Sequence, residues 1–321
     1  MKLLVTGAAG FIGSNYVRHV LATTDDQVTI LDSLTYAGNT ENIADLLEGG
    51  RCSFVHGDIC DQDIVTSTMD GHDAVVHFAA ESHVDRSIKN GHAFVQTNCA
   101  GTNVLCDVAR IVEVGRFVHI STDEVYGSIE VGSFAETDPL DPRSPYSAAK
   151  AGSDLIALSY HATHGLPVVV TRSSNQFGPY QFPEKVIPVF VTNLLDGYQV
   201  PLYGDGLNVR DWLFVHDNVR AVDLVLRLGV IGEIYNIGAH NEITNVDLTH
   251  RLLALTGRDM SYIKPVADRL GHDRRYSITT DKIAALGWAT AHSLDDALEH
   301  TVRWYADNRA WWEPLKAKAS F

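Results

Sequence analysis

Six short apolar runs, each almost unbroken, constrain the fold of this chain more than any other feature. They are LLVTG at 3–7, VTILD at 28–32, CSFVHGD at 52–58, AVVHFAA at 74–80, RFVHIST at 116–122 and PVVVTRSS at 167–174. A strand with one wet face alternates apolar and polar residues, whereas strands covered on both faces are apolar throughout. Stretches of helical period lie between most of the runs, at 13–21, 61–69, 93–112 and 145–164. This alternation predicts an α/β fold, a Rossmann-type doubly wound parallel sheet with helices on both sides. From about Phe182 the pattern loosens, as Pro183, Pro188, Pro201, Gly204 and Gly206 interrupt short segments. With 321 residues, 45% of them hydrophobic, the chain exceeds one small core. Two units are expected: residues 1–181, with excursions from the second half, and a smaller mixed α/β lobe over 182–321.

The first run ends in GAAGFIG, with Gly7, Gly10 and Gly13 directly ahead of a helical stretch. Glycine permits the tight turn and lets backbone N–H groups approach a pyrophosphate at a helix N-terminus. A glycine triplet alone fits a plain strand-to-helix turn equally well, so context decides. Asp32 closes the second run 19 residues after Gly13, where a carboxylate accepts hydrogen bonds from both ribose hydroxyls and repels a 2′-phosphate. That favours NAD over NADP and makes 1–181 an NAD-binding domain. Asp58 ends the third run and either meets the adenine amino group or caps a helix. Ala79 and Ala80, at the end of the fourth run, are small enough for close approach to a cofactor.

The segment SPYSAAK places Tyr146 and Lys150 four residues apart. Ser144 suits a cap and Pro145 the first helical position, so the phenol and the ammonium share one helix face. A phenol titrates near 10, too high for a base at neutral pH, but a neighbouring ammonium and a nicotinamide cation both favour the phenolate. A surface tyrosine beside a solvated lysine is the plain alternative. The order of glycine turn, Asp32, Thr122 and then this pair argues against it.

Together these residues resemble the extended short-chain dehydrogenase/reductase family over nearly the whole chain. A narrower resemblance, to the dTDP-glucose 4,6-dehydratases, is carried by AAESHVDRS (79–87), STDEVYGS (121–128), SPYSAAKAGSD (144–154), GPYQFPEKVIP (178–188), PLYGDGLNVRDWLFVHD (201–217), YNIG (235–238) and GHDRRYSI (271–278). The resemblance implies a redox-neutral lyase that oxidises the sugar at C4, eliminates water across C5 and C6 and returns the hydride to C6. NAD is then a tightly bound catalyst recycled within each turnover. By resemblance Tyr146 is the base for the C4 hydroxyl, helped by Lys150 and by a hydrogen bond from Thr122, while Glu124 is the base for C5 and Asp123 the acid for the departing C6 hydroxyl. As an acid Asp123 needs a raised pKa, from apolar surroundings or from repulsion by Glu124. Two adjacent carboxylates can address one sugar only where the chain has left the strand and begun to turn.

The resemblance also adds Phe11, Ile12, Ile59, Thr97 and Gln176 to the cofactor set. It assigns His83, Thr122, Asn175, Lys185, Val186, Pro201, Tyr203, Arg210, Asn245, Arg269 and His272 to dTDP-glucose, so that 182–321 is a nucleotide-sugar-binding lobe. A homodimer is expected through the Tyr146 helix and its neighbour. Two departures stand out. Gln176 occupies the place of the family's second asparagine, and Leu270 that of a proline.

The formal charge of −15 argues against a nucleic-acid partner. Cys52, Cys60, Cys99 and Cys106 form no C-x-x-C pair, and neither a metal site nor a disulfide is expected. With no leader ahead of the first strand and no bilayer-length apolar run, a cytoplasmic protein without a membrane partner is expected. Three rivals remain: a nucleotide-sugar 4-epimerase, which has no use for the 123/124 pair, a decarboxylase of nucleotide-glucuronic acids, which needs a cation where this chain has carboxylates, and a non-catalytic NAD-sensing scaffold. A 4,6-dehydratase for a different nucleotide-glucose is a fourth alternative.

Overall fold

The computed structural model describes residues 1–268 and 273–319. The six apolar runs all form strands: β1 (Lys2–Thr6), β2 (Gln27–Asp32), β3 (Cys52–His56), β4 (Ala74–His77), β5 (Arg116–Thr122) and β6 (Val168–Ser173). Later in the chain come β7 (Asn175–Phe177), β8 (Val200–Tyr203), β9 (Val209–Phe214), β10 (Ile234–Ile237), β11 (Glu242–Thr244) and β12 (Ile263–Val266). The main sheet has seven parallel strands in the order β10-β6-β5-β4-β1-β2-β3. Strand order reverses between β1 and β4, and the crevice beyond their carboxyl ends is where such sheets bind ligands.

Side-chain alternation explains the unbroken apolar runs. Leu3, Val5, Val76, Val118 and Val169 enter one core; their neighbours Leu4, Val75, Phe117, Val168 and Val170 enter the core on the opposite face. Both faces are dry, so neither tolerates a polar stripe. The seventh strand, β10, comes from the second half of the chain and pairs with β6 from Ile234 opposite Val170.

The helix Pro145–His164 follows directly from its local sequence. Ser144 and Ser147 form a reciprocal capping box, with Ser147 N–H donating to Ser144 Oγ at 3.1 Å and Ser144 N–H to Ser147 Oγ at 3.0 Å. Such a cap is worth about 1 kcal/mol. Pro145 takes the first turn, where its missing N–H costs nothing, and Gly165 ends the helix at φ 72°.

The stretch 93–112 is not one helix. A helical turn at Gly91–Phe94 passes into a π-helical segment, Val95–Gly101, before α-helix resumes at Thr102–Ile111. Within the π segment, Asn98 exchanges two hydrogen bonds with the Glu81 backbone, at 2.9 and 3.0 Å. This anchorage of the loop after β4 depends on a partner 17 residues away, which helical periodicity cannot register.

The remaining strands form two small sheets: the mixed β11-β9-β7 and the parallel pair β12-β8. Asn15 Nδ2 donates to the Pro179 carbonyl at 3.0 Å, and the Tyr305 hydroxyl donates to the Gln181 carbonyl, so the chain around 179–181 is tied both to the first helix and to the C-terminal segment. All four cysteines are free thiols. No helix among the described residues is long and apolar enough to cross a membrane.

Candidate active site

The three glycines of the first turn do different work. Gly7 sits at φ 72°, and a side chain there would strike the Ala79 backbone at 2.4 Å, so β1 and the loop after β4 meet in contact. At Gly13 a side chain would strike Ala8 and the Gly7 carbonyl at 2.7 Å, which makes it the packing glycine. Gly10 is the N-cap of the helix Phe11–Thr23 without a side-chain bond. The cap, with Phe11 and Ile12 behind it, is partly exposed. The first N–H groups of a helix have no intrahelical acceptor and attract an anion.

Asp32 is buried, with Oδ2 accepting from Ala9 N–H at 2.9 Å and Oδ1 from Leu34 N–H at 2.8 Å. Burial pushes its pKa up, and the two N–H bonds oppose the shift. Its first role is therefore to brace the glycine loop; each oxygen keeps a second lone pair for a ribose hydroxyl. Asp58 is no helix cap. Its Oδ1 accepts from Cys60 N–H at 2.9 Å, and Asp61 caps the following helix. Ile59 is buried, and Ala79, Ala80 and Thr97 are half-buried.

At the end of β5 the chain leaves the strand, as two adjacent carboxylates require. Thr122 caps a single 3₁₀ turn, Asp123–Tyr126, its hydroxyl accepting from Glu124 N–H at 3.3 Å and donating to Asp123 Oδ1 at 3.2 Å. Asp123 is buried and Glu124 partly exposed. Burial raises the Asp123 pKa well above the carboxylate range, and the Glu124 and Asp211 carboxylates add to it. Asp211, which sequence reasoning passed over, is itself buried, its oxygens held by Ala239 and Asn241 N–H at 2.8 and 2.7 Å. It is 88 residues from Asp123 (211 − 123), and no local spacing connects the two.

Tyr146 and Lys150 differ from expectation in one respect. The Lys150 ammonium is buried and donates to the Ile120 carbonyl at 2.6 Å. Burial lowers its pKa to about 8, and Asp154 opposes the shift. The Tyr146 phenol is driven well up by burial and by the Glu124 and Asp123 carboxylates, with the Thr122 hydroxyl acting the other way. The protein groups around Tyr146 therefore favour the neutral phenol.

On the substrate side, Lys185 Nζ donates to the Ser82 carbonyl at 2.9 Å, joining the segment before the helix Val186–Leu195 to the loop that carries His83. His83 caps the short helix Val84–Lys89, its Nδ1 accepting from Arg86 N–H at 3.3 Å, and burial lowers its pKa to about 4. Arg210 is buried over the Tyr276 ring at 4.3 Å and donates to the Val209 and Asp273 carbonyls at 2.7 and 2.9 Å. Pro201 and Tyr203 lie on β8, and Asn245 opens the helix Asn245–Leu255. Arg269, His272 and the Leu270 departure lie outside the described residues.

Comparison with known proteins decides the class. The family model described as GDP-mannose 4,6 dehydratase matches residues 4–301. A dTDP-glucose 4,6-dehydratase from Streptomyces antibioticus is 57% identical, covering 99% of this chain and 96% of its own length. The chain belongs to the dTDP-glucose 4,6-dehydratase family. The crystal structure of the dTDP-glucose 4,6-dehydratase DesIV from Streptomyces venezuelae, with NAD and dTDP bound, matches at TM-score 0.97 and 55% identity, covering 98% of this chain and all of that one. A UDP-glucose 4-epimerase from Thermotoga maritima shares the fold at TM-score 0.89 but only 31% identity, covering 96% of this chain and 100% of that chain.

Dehydratases of this family are NAD-dependent, and the residues here suit that cofactor. The helix end at Gly10 has no side-chain cap, as an anion site requires, and each Asp32 oxygen keeps a lone pair that a ribose hydroxyl could use. Asn175 Oδ1 and Gln176 Oε1 on β7 are buried without a hydrogen-bond partner among the described residues. A buried amide oxygen left unpaired is costly unless a ligand or solvent satisfies it. Gln176, at the position where the family has its second asparagine, thus still offers a buried polar group.

Proposed function

We infer that this chain converts dTDP-glucose to dTDP-4-keto-6-deoxyglucose and water. The observation that carries this reading is the Asp123/Glu124 pair on a 3₁₀ turn, with the buried carboxyl shifted upward and the partly exposed one beside it. Bound NAD supplies a hydride acceptor for C4 and a donor for C6. Tyr146 takes the C4 hydroxyl proton while Thr122 hydrogen-bonds the same oxygen, and Lys150 holds positive charge behind them. The C4 ketone acidifies the C5 hydrogen. Glu124 removes that proton and Asp123, whose pKa burial raises well above the carboxylate range, gives its own to the departing C6 hydroxyl. Return of the hydride to C6 leaves an enolate that takes its C5 proton from Glu124, after that proton has exchanged with solvent, and the proton Tyr146 took from the C4 hydroxyl passes through solvent to restore Asp123.

Phe11, Ile12, Ile59, Ala79, Ala80, Thr97 and Gln176 line the cofactor, with Asp32 on the adenosine ribose. Lys185 and Arg210 supply charge to the diphosphate, with His83 and Asn175 at the sugar end and Val186, Pro201, Tyr203 and Asn245 along the nucleotide.

The test is to incubate the purified protein with dTDP-glucose in deuterated water, adding no cofactor, and to read the product by mass spectrometry. Loss of one water with one deuterium at C5 is expected. Conversion to the C4 epimer without mass loss would assign the chain to the epimerases instead, and reaction only with another nucleotide-glucose would reassign the base.

The functional unit is a homodimer joined through the helix Pro145–His164 and the adjoining segment 84–101. Leu155 on that helix is 60% exposed, with Ile88 and Val95 on the adjoining segment also exposed. Large apolar side chains left on neighbouring helices favour a second copy. Leu155→Arg is expected to convert a dimer to a monomer in size-exclusion chromatography with light scattering, and a monomeric wild-type chain would overturn this part of the reading.

A further inference from the structure

The turn that carries Asp123 and Glu124 ends at Tyr126, and Tyr126 is one end of a chain of buried polar contacts that the mechanism above does not use. The Tyr126 hydroxyl accepts from Arg172 Nη1 at 2.8 Å and donates to Asn236 Oδ1 at 2.9 Å. Arg172 Nε donates to Asp154 Oδ2 at 2.9 Å, and the other Asp154 oxygen lies 3.2 Å from His119 Nε2. All of these side chains are almost wholly buried. His119 stands on β5, Arg172 on β6 and Asn236 on β10. Asp154 is four residues beyond Lys150, on the helix that also carries Tyr146.

The charges are arranged as a closed set. Asp154 is held below the ordinary carboxylate range against its own burial by His119, Arg172 and Lys150. Burial lowers His119, so Arg172 is the fixed positive partner. Arg172 also lies over the Tyr126 ring at 4.8 Å, while the opposite side of the hydroxyl is fixed through Asn236, whose N–H donates to Glu136 at 3.0 Å. A buried ion pair contributes little net stability but strongly penalises any geometry that leaves one charge unpaired, so it fixes position.

The two halves of the chemistry sit on different elements. Oxidation uses the helix, through Tyr146 and Lys150; elimination uses the 3₁₀ turn, through Asp123 and Glu124. We propose that the Asp154–Arg172–Tyr126 chain is the positioning element that holds the elimination turn in register with the redox helix, and so governs the second stage of the reaction more than the first. This rests on the dehydratase reading. Asp154, Arg172 and Tyr126 are positioning residues, since each acts through another group.

Tyr126→Phe removes one oxygen and both its hydrogen bonds while keeping the ring that stacks on Phe134 at 5.2 Å. In single-turnover experiments with dTDP-glucose, the rise in reduced-cofactor absorbance reports the first stage, and its decay reports elimination with hydride return. Small misplacements of reacting groups cost up to about 100-fold. The expected result is a decay slowed about 10- to 100-fold in Tyr126→Phe, with the rise changed less than about threefold and dTDP affinity by calorimetry unchanged. Arg172→Lys, which keeps the charge but loses the two-pronged contact, is expected to show the same selective slowing.

Equal slowing of rise and decay would reduce the network to general stability and overturn the proposal, as would unchanged kinetics in Tyr126→Phe. Thermal melting of each variant separates folding loss from mispositioning, and if Arg172→Lys does not fold, Tyr126→Phe decides alone. A wild-type chain that never dehydrates dTDP-glucose defeats the functional reading itself, and the absence of any wild-type decay phase makes that failure distinct.

Discussion

Replacing Tyr146 with phenylalanine is expected to abolish the first stage: reduced-cofactor absorbance after mixing with dTDP-glucose should develop about 10²- to 10⁴-fold more slowly, the range over which a positioned acid/base group contributes. The ring and its edge contact with Phe94, at 6.3 Å between centroids, remain in the variant, so the fold is expected to survive. The pH dependence carries a second signature. Burial and the Glu124 and Asp123 carboxylates raise the phenol, and the Thr122 hydroxyl opposes them. The rate of oxidation should therefore climb with pH in the wild type, and the ligand-bound complex should titrate at lower pH than the ligand-free protein. A wild-type rate indifferent to pH from 6 to 9, or a Tyr146→Phe variant with ordinary kinetics, would remove Tyr146 from the role of base.

The second large effect belongs to Asp123→Asn. Amide replaces carboxyl with almost no change of shape, oxidation at C4 is retained, and the departing C6 hydroxyl loses its proton donor. Reduced cofactor should accumulate and persist, with elimination slowed about 10²- to 10⁴-fold. Glu124→Gln should stop at the same stage and should also lose deuterium incorporation at C5 from heavy water, since the base for that position is gone.

Stability should move the opposite way from activity. The folded chain raises the Asp123 pKa, so it retains a proton that the unfolded chain releases. Stability from this group is highest below the ordinary carboxylate pKa and falls as pH rises toward the folded value. Asparagine carries no such penalty at neutral pH. Asp123→Asn is accordingly expected to raise Tm at neutral pH, and the gain should vanish below the ordinary carboxylate pKa. A variant that loses both activity and stability would mean that the carboxyl is a structural anchor.

Much of this molecule is determined by local sequence. Each of the six apolar runs becomes a strand because a strand buried on two faces has no room for polar alternation, and β5 and the helix Pro145–His164 begin and end where residue pattern and capping chemistry place them. The nucleotide turn is equally local in its backbone, since Gly7 takes a φ of 72° and Gly13 is pressed against Ala8 and the Gly7 carbonyl within the same strand-turn-helix unit. The adjacency of Asp123 and Glu124 also predicted that the chain turns there.

What tertiary structure alone decided depends on groups far apart in sequence. A helical period cannot reveal the π segment at Val95–Gly101, because its geometry is coupled to a bond between Asn98 and the loop after β4. Residue type at 123 cannot specify a proton affinity, which here is set by burial and by carboxylates at 124 and 211. The same holds for Lys150, whose ammonium is committed to a β5 carbonyl, and for Asp154, Arg172 and Tyr126, drawn from a helix, a strand and a turn into one buried chain. Backbone conformation is dictated by near neighbours through sterics and hydrogen bonding, so sequence pattern records it. Electrostatic environment is dictated by whatever the fold brings within a few ångströms in a water-poor interior, and only the assembled structure contains that distance.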